Sequence, residues 1–256
     1  MKKILLGAAA ALAIAAPGIA SADTTGNIDL SIGNTEFDGG GEFDQTNLGG
    51  AVQFDAMSGW TVQFDGRTST VDFDGSSGTA STSYAAVHAN TDTGAWDFGG
   101  WAGHLNYYGT GGWTLGGETR TSFGNFSVNG SIGYGSFDTF SDFNVWSYQV
   151  NGSYFFNPNL ALSGGAARYD LDFGSGDAEM TDLSIGGAYG FGNGFELYGN
   201  YINSDVDFNS GSSYETDAWT LGVRYHFNGG TLQDNANDGA SWASVRNLSD
   251  ALGRFD

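Results

Sequence analysis

Asp65 with Arg67, and Glu118 with Arg120, stand two residues apart, a spacing that turns both side chains to one face of a β-strand. Such neighbours either pair or set up a transverse field across the space they line. His88, His104 and His226 fall in three separate stretches, and the chain has no cysteine, which removes thiolate nucleophiles and thiolate metal ligands. No HExxH, GxSxG or phosphate-cradling motif is present. Gly39-Gly40-Gly41 carries no lysine and lacks a strand-to-helix setting, so it reads as turn material. These residues point away from an enzyme and from a bound cofactor. A serine, a histidine and an acid meeting across distant strands is the one catalytic arrangement left open.

Acidic residues are the more informative set. Asp-Phe and Asp-x-Asp-Phe units recur at Phe37-Asp38, Phe43-Asp44, Asp72-Phe73-Asp74, Phe137-Asp138, Asp142-Phe143, Asp170-Leu171-Asp172-Phe173 and Asp205-Val206-Asp207-Phe208, and the segments around them hold 16 of the 29 acids. Carboxylates at this density are hard oxygen ligands of the kind that hold Ca²⁺ or Mg²⁺ weakly, as bridges to anionic lipid or lipopolysaccharide headgroups. None has the spacing of a dedicated calcium loop, and a solvated, self-repelling rim is the alternative.

The elements that position these residues follow from composition and periodicity. A net charge of −21 argues against nucleic acid, which is bound by clustered lysine and arginine. Lys2 and Lys3, the apolar stretch Ile4 to Ala16 and the small residues Ala20-Ser21-Ala22 read as an export signal, 1–22, cleaved after Ala22. What remains has six arginines, no lysine and 29 acids. No later window is long and apolar enough for a transmembrane helix. The 43 glycines and 15% aromatic residues suit many short strands rather than helices or disorder.

Turn signals at Gly59, Gly94, Gly124, Asn159, Gly194 and Gly229 recur every 30 or 35 residues. Between them apolar and small polar residues alternate with period two. Trp60, Val62 and Phe64 oppose Thr61, Gln63 and Asp65, while Trp219, Leu221, Val223, Tyr225 and Phe227 oppose Thr220, Gly222, Arg224 and His226. Tight turns alternate with longer acidic links such as Phe37 to Asp44, Thr68 to Ala80 and Tyr107 to Gly112. The count is about twelve strands in an up-and-down antiparallel meander.

A soluble sandwich would carry charges on its polar parity. Here that parity is Ser, Thr, Asn, Gln and Gly, which fits the water-filled inside of a barrel whose apolar parity meets lipid. Trp60, Trp96, Phe126, Phe195 and Phe227 cluster at strand ends as an interfacial girdle would. The expectation is an all-β protein: one transmembrane β-barrel over 23–227, with short periplasmic turns and acidic extracellular loops.

The export signal, the meander and the last strand Trp219 to Phe227 resemble Gram-negative outer-membrane β-barrels. The ending Gly222 to Gly230, GVRYHFNGG, with the recurrent Asp-Phe-Asp loops, resembles porin-like proteins of alphaproteobacteria. That resemblance implies a cell outer membrane location and insertion by the barrel-assembly machinery through a terminal strand ending in Phe. This chain departs from it by continuing for 29 residues, Asn228 to Asp256. In that tail, 228–256, Trp242, Val245, Leu248 or Ser249, Leu252 and Phe255 recur at helical spacing. A periplasmic amphipathic helix that caps the barrel mouth or docks elsewhere, and a frayed extension, are the two readings.

Eight-stranded barrels are filled by side chains and sixteen-stranded ones hold channels, so twelve leaves both outcomes open. The small inward residues and the absence of an obvious plug favour a porin-like channel for passive diffusion of small hydrophilic solutes. The alternative is a non-conducting structural or adhesive barrel. Inward parity places Asp29, Asp65, Arg67, Asp97, Glu118, Arg120, Asp182, Glu196 and Arg224 along the pore wall. Six acids against three arginines predict a modest cation preference.

Overall fold

The computed structural model describes residues 24–57, 59–74, 79–138, 143–174 and 176–255. The expected signal segment lies outside them. Twelve strands follow in order: β1 (Thr24–Phe37), β2 (Glu42–Met57), β3 (Trp60–Phe73), β4 (Thr79–Asp92), β5 (Asp97–Tyr107), β6 (Thr110–Phe123), β7 (Phe126–Phe137), β8 (Phe143–Asn157), β9 (Leu160–Asp172), β10 (Asp177–Gly190), β11 (Phe195–Phe208) and β12 (Ser213–Phe227). Each pairs antiparallel with its sequence neighbours, and β1 pairs with β12, so the sheet closes into a barrel. Closure leaves no unpaired edge. Two helices follow, α1 (Leu232–Asp238) and α2 (Ser244–Arg254).

Gly59, Gly94, Gly124, Gly192 and Gly194 occupy positive φ at one end of the barrel, where a side chain would be strained. At the other end the connections are also short, five residues at most. The long acidic links expected there are largely strand. Tyr107 and Thr110, for instance, are joined by only Tyr108 and Gly109, with φ of 48° and 89°, the pattern of a type I′ hairpin turn.

The Asp-Phe units explain the difference. Inward and outward parities continue unbroken past the middle of each strand, but their composition switches. On β12, Trp219, Leu221, Val223 and Tyr225 point out and are exposed, and beyond them Asp217, Glu215 and Ser213 also point out. On β9, β10 and β11 the inward parity passes from Ser163, Ser184 and Asn200 to Tyr169 with Leu171, Met180 and Val206, all 2% exposed or less. One end of the barrel is therefore apolar inside and acidic outside, as in a protein in water. The rest is polar inside and apolar outside.

The outward belt on that remaining part includes Leu30, Ile32, Leu115, Val150, Leu162, Leu183, Ile185 and Leu221, far more apolar surface than a water-soluble barrel exposes. Aromatic residues rim it at both edges. Trp60, Trp96, Phe126 and Phe195 lie near the turns, with Phe227 half-buried over Gly26, and Trp113, Trp146, Tyr201 and Trp219 lie near the acidic end. From Trp219 to Phe227 is eight residues, about 27 Å along the strand and about 20 Å in height at a tilt of ~40°.

Candidate functional site

Inside the barrel, the observation that reorganises the reading is the path of the C-terminal segment. After Phe227 the chain reverses at Asn228, φ 53°, and enters the lumen instead of remaining outside it. Thr231 caps α1 through a reciprocal pair with Asp234, and Gln233 ties the helix to the turns through Pro158 and Gly124 carbonyls, each at 2.9 Å. The chain then runs toward the acidic end as α2, where Phe255 stacks between Phe173 and Phe208, centroids 5.5 and 5.8 Å apart. Neither a mouth cap nor a frayed extension describes it, and the lumen does contain a plug.

The physical reason lies in the inner wall. Val245, Leu248 and Leu252 of α2 form the apolar stripe expected from spacing, and they are 3% exposed or less. They pack on an inward apolar patch that includes Tyr84 and Ala86 of β4 and Trp101 and Leu105 of β5. Burying each such side chain contributes about 1.5–3 kcal/mol, against which a helix left in water has nothing to set. Glycine makes the space. A Cβ at Gly116 would lie 2.3 Å from the Trp101 ring, and one at Gly103 would lie 3.3 Å from Val245.

From the last turn of α1 to the first residue of α2 the backbone carries polar groups that need partners. The wall supplies them. Asn27 donates to the Ala240 carbonyl at 3.0 Å, Gln53 to Asp238 at 2.8 Å, Gln149 to Ser244 at 3.3 Å and Arg120 to Ala236 at 3.2 Å. Gln63 takes both backbone groups of Trp242: it donates to the carbonyl at 2.8 Å and accepts from the amide at 3.2 Å.

All nine residues expected along the wall have side chains on the inward parity, and the plug engages four of them directly, Arg67, Glu118, Arg120 and Asp182. The i,i+2 pairs do not form. Asp65 and Glu118 instead flank His88, whose Nε2 and Nδ1 lie 2.8 Å from an oxygen of each, with the Nδ1 contact to Glu118 a hydrogen bond. Glu118 also accepts from Ser244 Oγ at 2.8 Å. The Asn90 amide, oriented to satisfy both its ends, donates to Glu118 and accepts from the Trp242 indole, each at 3.1 Å. Ser244 thus engages the carboxylate and not the imidazole, so these residues make no nucleophile–base pair.

The arginines pair across strands or with the plug. Arg120 binds Asp97, its register partner on β5, through Nε at 2.9 Å and Nη2 at 2.8 Å, and stands 4.6 Å from the Trp242 ring. Arg224 lies between its two register partners Asp29 and Glu196, 3.3 Å from each. Glu196 also meets His226 at 2.6 Å, and Tyr198 donates to Asp29 at 2.7 Å. Arg67 pairs with Asp250 of α2, and Asp182 with Arg254. His104 points outward and takes no part.

Because α2 leans on β4 and β5, space remains on the opposite side. Four cavities of about 310, 290, 150 and 100 Å³ lie beside the plug, and Asn200 lines every one of them. They form a crescent that runs from β6 round to β12 and on to β1, β2 and β3, faced in part by small polar side chains such as Asn151, Ser163 and Ser184. At the acidic end a collar of rings surrounds it: Phe43 to Phe37 to Tyr214 to Phe208 to Phe255 to Phe173 to Phe143 to Phe137, with successive centroids 4.6–6.1 Å apart.

Solved structures place this architecture among known folds. An outer membrane channel from Pseudomonas putida F1 superposes with a TM-score of 0.60 at 12% identity, over 80% of this chain and 95% of that one. The fold is that of outer-membrane barrels. The translocator domain of the autotransporter NalP from Neisseria meningitidis superposes with a TM-score of 0.51, also at 12% identity, over 87% of this chain and 99% of that one. No protein-family model and no curated protein matches the sequence.

Sequence reasoning missed the plug, the inward apolar patch and the cross-strand pairs. The patch carried a signal: Trp101, Leu105, Val145, Leu171 and Met180 share the parity of the polar lumen residues. Strand register left no trace in the single sequence.

Proposed function

We propose that the chain is an outer-membrane, porin-like channel through which small hydrophilic solutes pass by passive diffusion, along the crescent that the C-terminal plug leaves open. The observation that carries this reading is the crescent itself, a run of adjoining cavities inside a closed barrel whose walls mix Asn and Ser with small apolar residues such as Ala188 and Ala240. A barrel built only as a scaffold gains nothing from that volume, since filling it with side chains adds stability. The apolar belt between two aromatic rims supports insertion in a bilayer, with the tight turns periplasmic and the acidic end extracellular.

Export on the segment 1–22, delivery by the barrel-assembly machinery and the alphaproteobacterial, porin-like kinship belong to the same proposal and rest on the sequence. Lipid and lipopolysaccharide would meet the belt and the acidic exterior, where divalent cations would bridge carboxylates to anionic headgroups. A modest cation preference remains part of the reading. Of the plug, α2 sets Arg246, Arg254 and Asp250 beside the wall, which leaves seven acids facing five arginines there, and Asp234 and Asp238 of α1 are exposed.

One observation favours the non-conducting alternative: the aromatic collar at the acidic end, in which Phe255 of the plug bridges Phe173 and Phe208. Single-channel recording in planar bilayers separates the two. Discrete conductance steps support the channel, and a membrane that stays silent at high protein load supports the structural barrel.

A further inference from the structure

Arg246, on α2, stands apart from the other arginines. Among the described residues Arg67, Arg120, Arg168, Arg224 and Arg254 each pair with a carboxylate, whereas none lies within ion-pair distance of Arg246. Its Nε donates to the Tyr84 hydroxyl at 3.3 Å, which fixes the plane of the guanidinium and leaves both terminal nitrogens without a protein acceptor. Those nitrogens are reached from the lumen. Arg246, Arg224, Tyr198 and Asn200 line both the 290 Å³ and the 150 Å³ cavities, so they surround the junction between the two. Arg67 lines the smaller cavity as well. Its side chain is 8% exposed, and its Nε, like that of Arg224, is buried with no acceptor.

Unpaired donors on a charged group inside a barrel are costly. An anion in the junction would satisfy them, and the charge count limits what that anion is. Arg224 is shared by Asp29 and Glu196, so with Arg246 the junction holds two arginines and two acids, and a monoanion disturbs that balance less than a dianion does. A planar guanidinium edge matches a planar two-oxygen acceptor. The smaller cavity, at about 150 Å³, has the room of about five waters at ~30 Å³ each, enough for a short-chain acid. We propose that this junction is a binding site for small monocarboxylate solutes, with Arg246 as its principal ligand. The site is compatible with a net-negative wall because the acids whose charges act on Arg246, Asp29 and Asp65, are already engaged by Arg224 and His88. It names a solute class for the channel reading without depending on conduction, since binding is measured on the protein in detergent.

Isothermal titration calorimetry of the full-length protein, refolded in detergent at constant ionic strength, tests it with propionate and inorganic phosphate as probes. The expected result is saturable heat with propionate and weaker binding of phosphate. Propionate should bind about tenfold or more weakly to Arg246→Gln, the loss that follows from removing one charge-assisted pair. Arg246→Lys should fall between the two, since it keeps the charge and loses the planar fork, and Arg168→Gln on the exterior should match the parent. No saturable propionate heat, phosphate binding tighter than propionate, or parental affinity in Arg246→Gln would each overturn the proposal. If Arg246→Gln fails to fold, parental affinity in Arg246→Lys overturns the fork argument on its own.

Discussion

Ser244 Oγ donates to Glu118 Oε2 at 2.8 Å, joining the first residue of α2 to a wall carboxylate whose other oxygen lies 2.8 Å from His88 Nδ1. The start of the plug is thereby tied to a network that reaches Asp65 on β3 and His88 on β4. Glu118 also sits at a helix N-terminus, where a negative charge is favourable. The far end of α2 is held by the complementary device, Arg254 in the last turn against Asp182 and Ser204.

If the plug occupies the conducting path, ending the chain at Asn228 enlarges it. The shortened barrel should show a single-channel conductance several-fold above that of the full chain. It should also melt at lower temperature in detergent, because the apolar patch around Trp101 and Tyr84 loses its cover. Equal conductance in the two proteins would mean that the plug lies outside the path.

Trp101 lies over Gly116 so closely that a Cβ there would be 2.3 Å from its ring. Gly116→Ala should therefore displace the indole, disturb the seat of Val245 and cost about 1–3 kcal/mol of stability. Gly117→Ala, one residue on and with only the Gly99 carbonyl at 3.8 Å from its added Cβ, should cost little. Heat-modified gel mobility of the two variants compares them directly, and equal loss in both would refute the packing argument.

Arg67 is 8% exposed and its partner Asp250 29%. Removing the acid leaves a buried guanidinium without its counter-charge, which is the expensive way to break a pair. Asp250→Asn should destabilise by about 2 kcal/mol after allowance for the partial exposure of the acid. Loss of the latch should also appear as flicker between two conductance levels. A single unaltered level with an unaltered melting curve would show that the pair does not hold the plug.

How much of this was legible in the sequence follows from the range of each signal. Period-two alternation is local, so Trp219 to Phe227 announces an outward apolar strand unaided, and turn glycines announce where strands end. The helix of the tail was legible for the same reason, in the spacing of Val245, Leu248 and Leu252. Its location was not, because an apolar stripe shows that a helix must be covered and not by what. Arg120 with Asp97 and Arg224 with Asp29 depend on register between strands distant in sequence, and one chain does not print its register. The Asp-Phe units were misplaced in loops because their Asp and Phe were read as turn material, when the alternation simply continued past the belt with its two faces exchanged.

Selectivity ties the wall and the plug together. The wall alone presents six acids and three arginines. Beside the wall charges α2 adds Arg246, Arg254 and Asp250 and so reduces the acid excess there from three to two while narrowing the lumen, and Asp234 and Asp238 of α1 stay exposed at the turn end. Both proteins should prefer cations, since acid rings lining a pore select them and the exterior carboxylates add to the cation concentration within a Debye length of about 8 Å. Narrowing brings permeating ions closer to the wall, which strengthens selectivity, whereas the added arginines weaken it. The charge effect should win where the pairs are not neutralised, so at low salt the chain ending at Asn228 should be the more cation-selective of the two. Reversal potentials under a KCl gradient decide it. A full-length potential at zero or directed toward anions at low salt would remove the preference itself. An unchanged potential in Asp65→Asn/Asp97→Asn/Glu118→Gln/Glu196→Gln would show that the wall carboxylates do not set it. A shortened barrel less selective than the full chain would show that pore width, and not the plug's arginines, governs permeation.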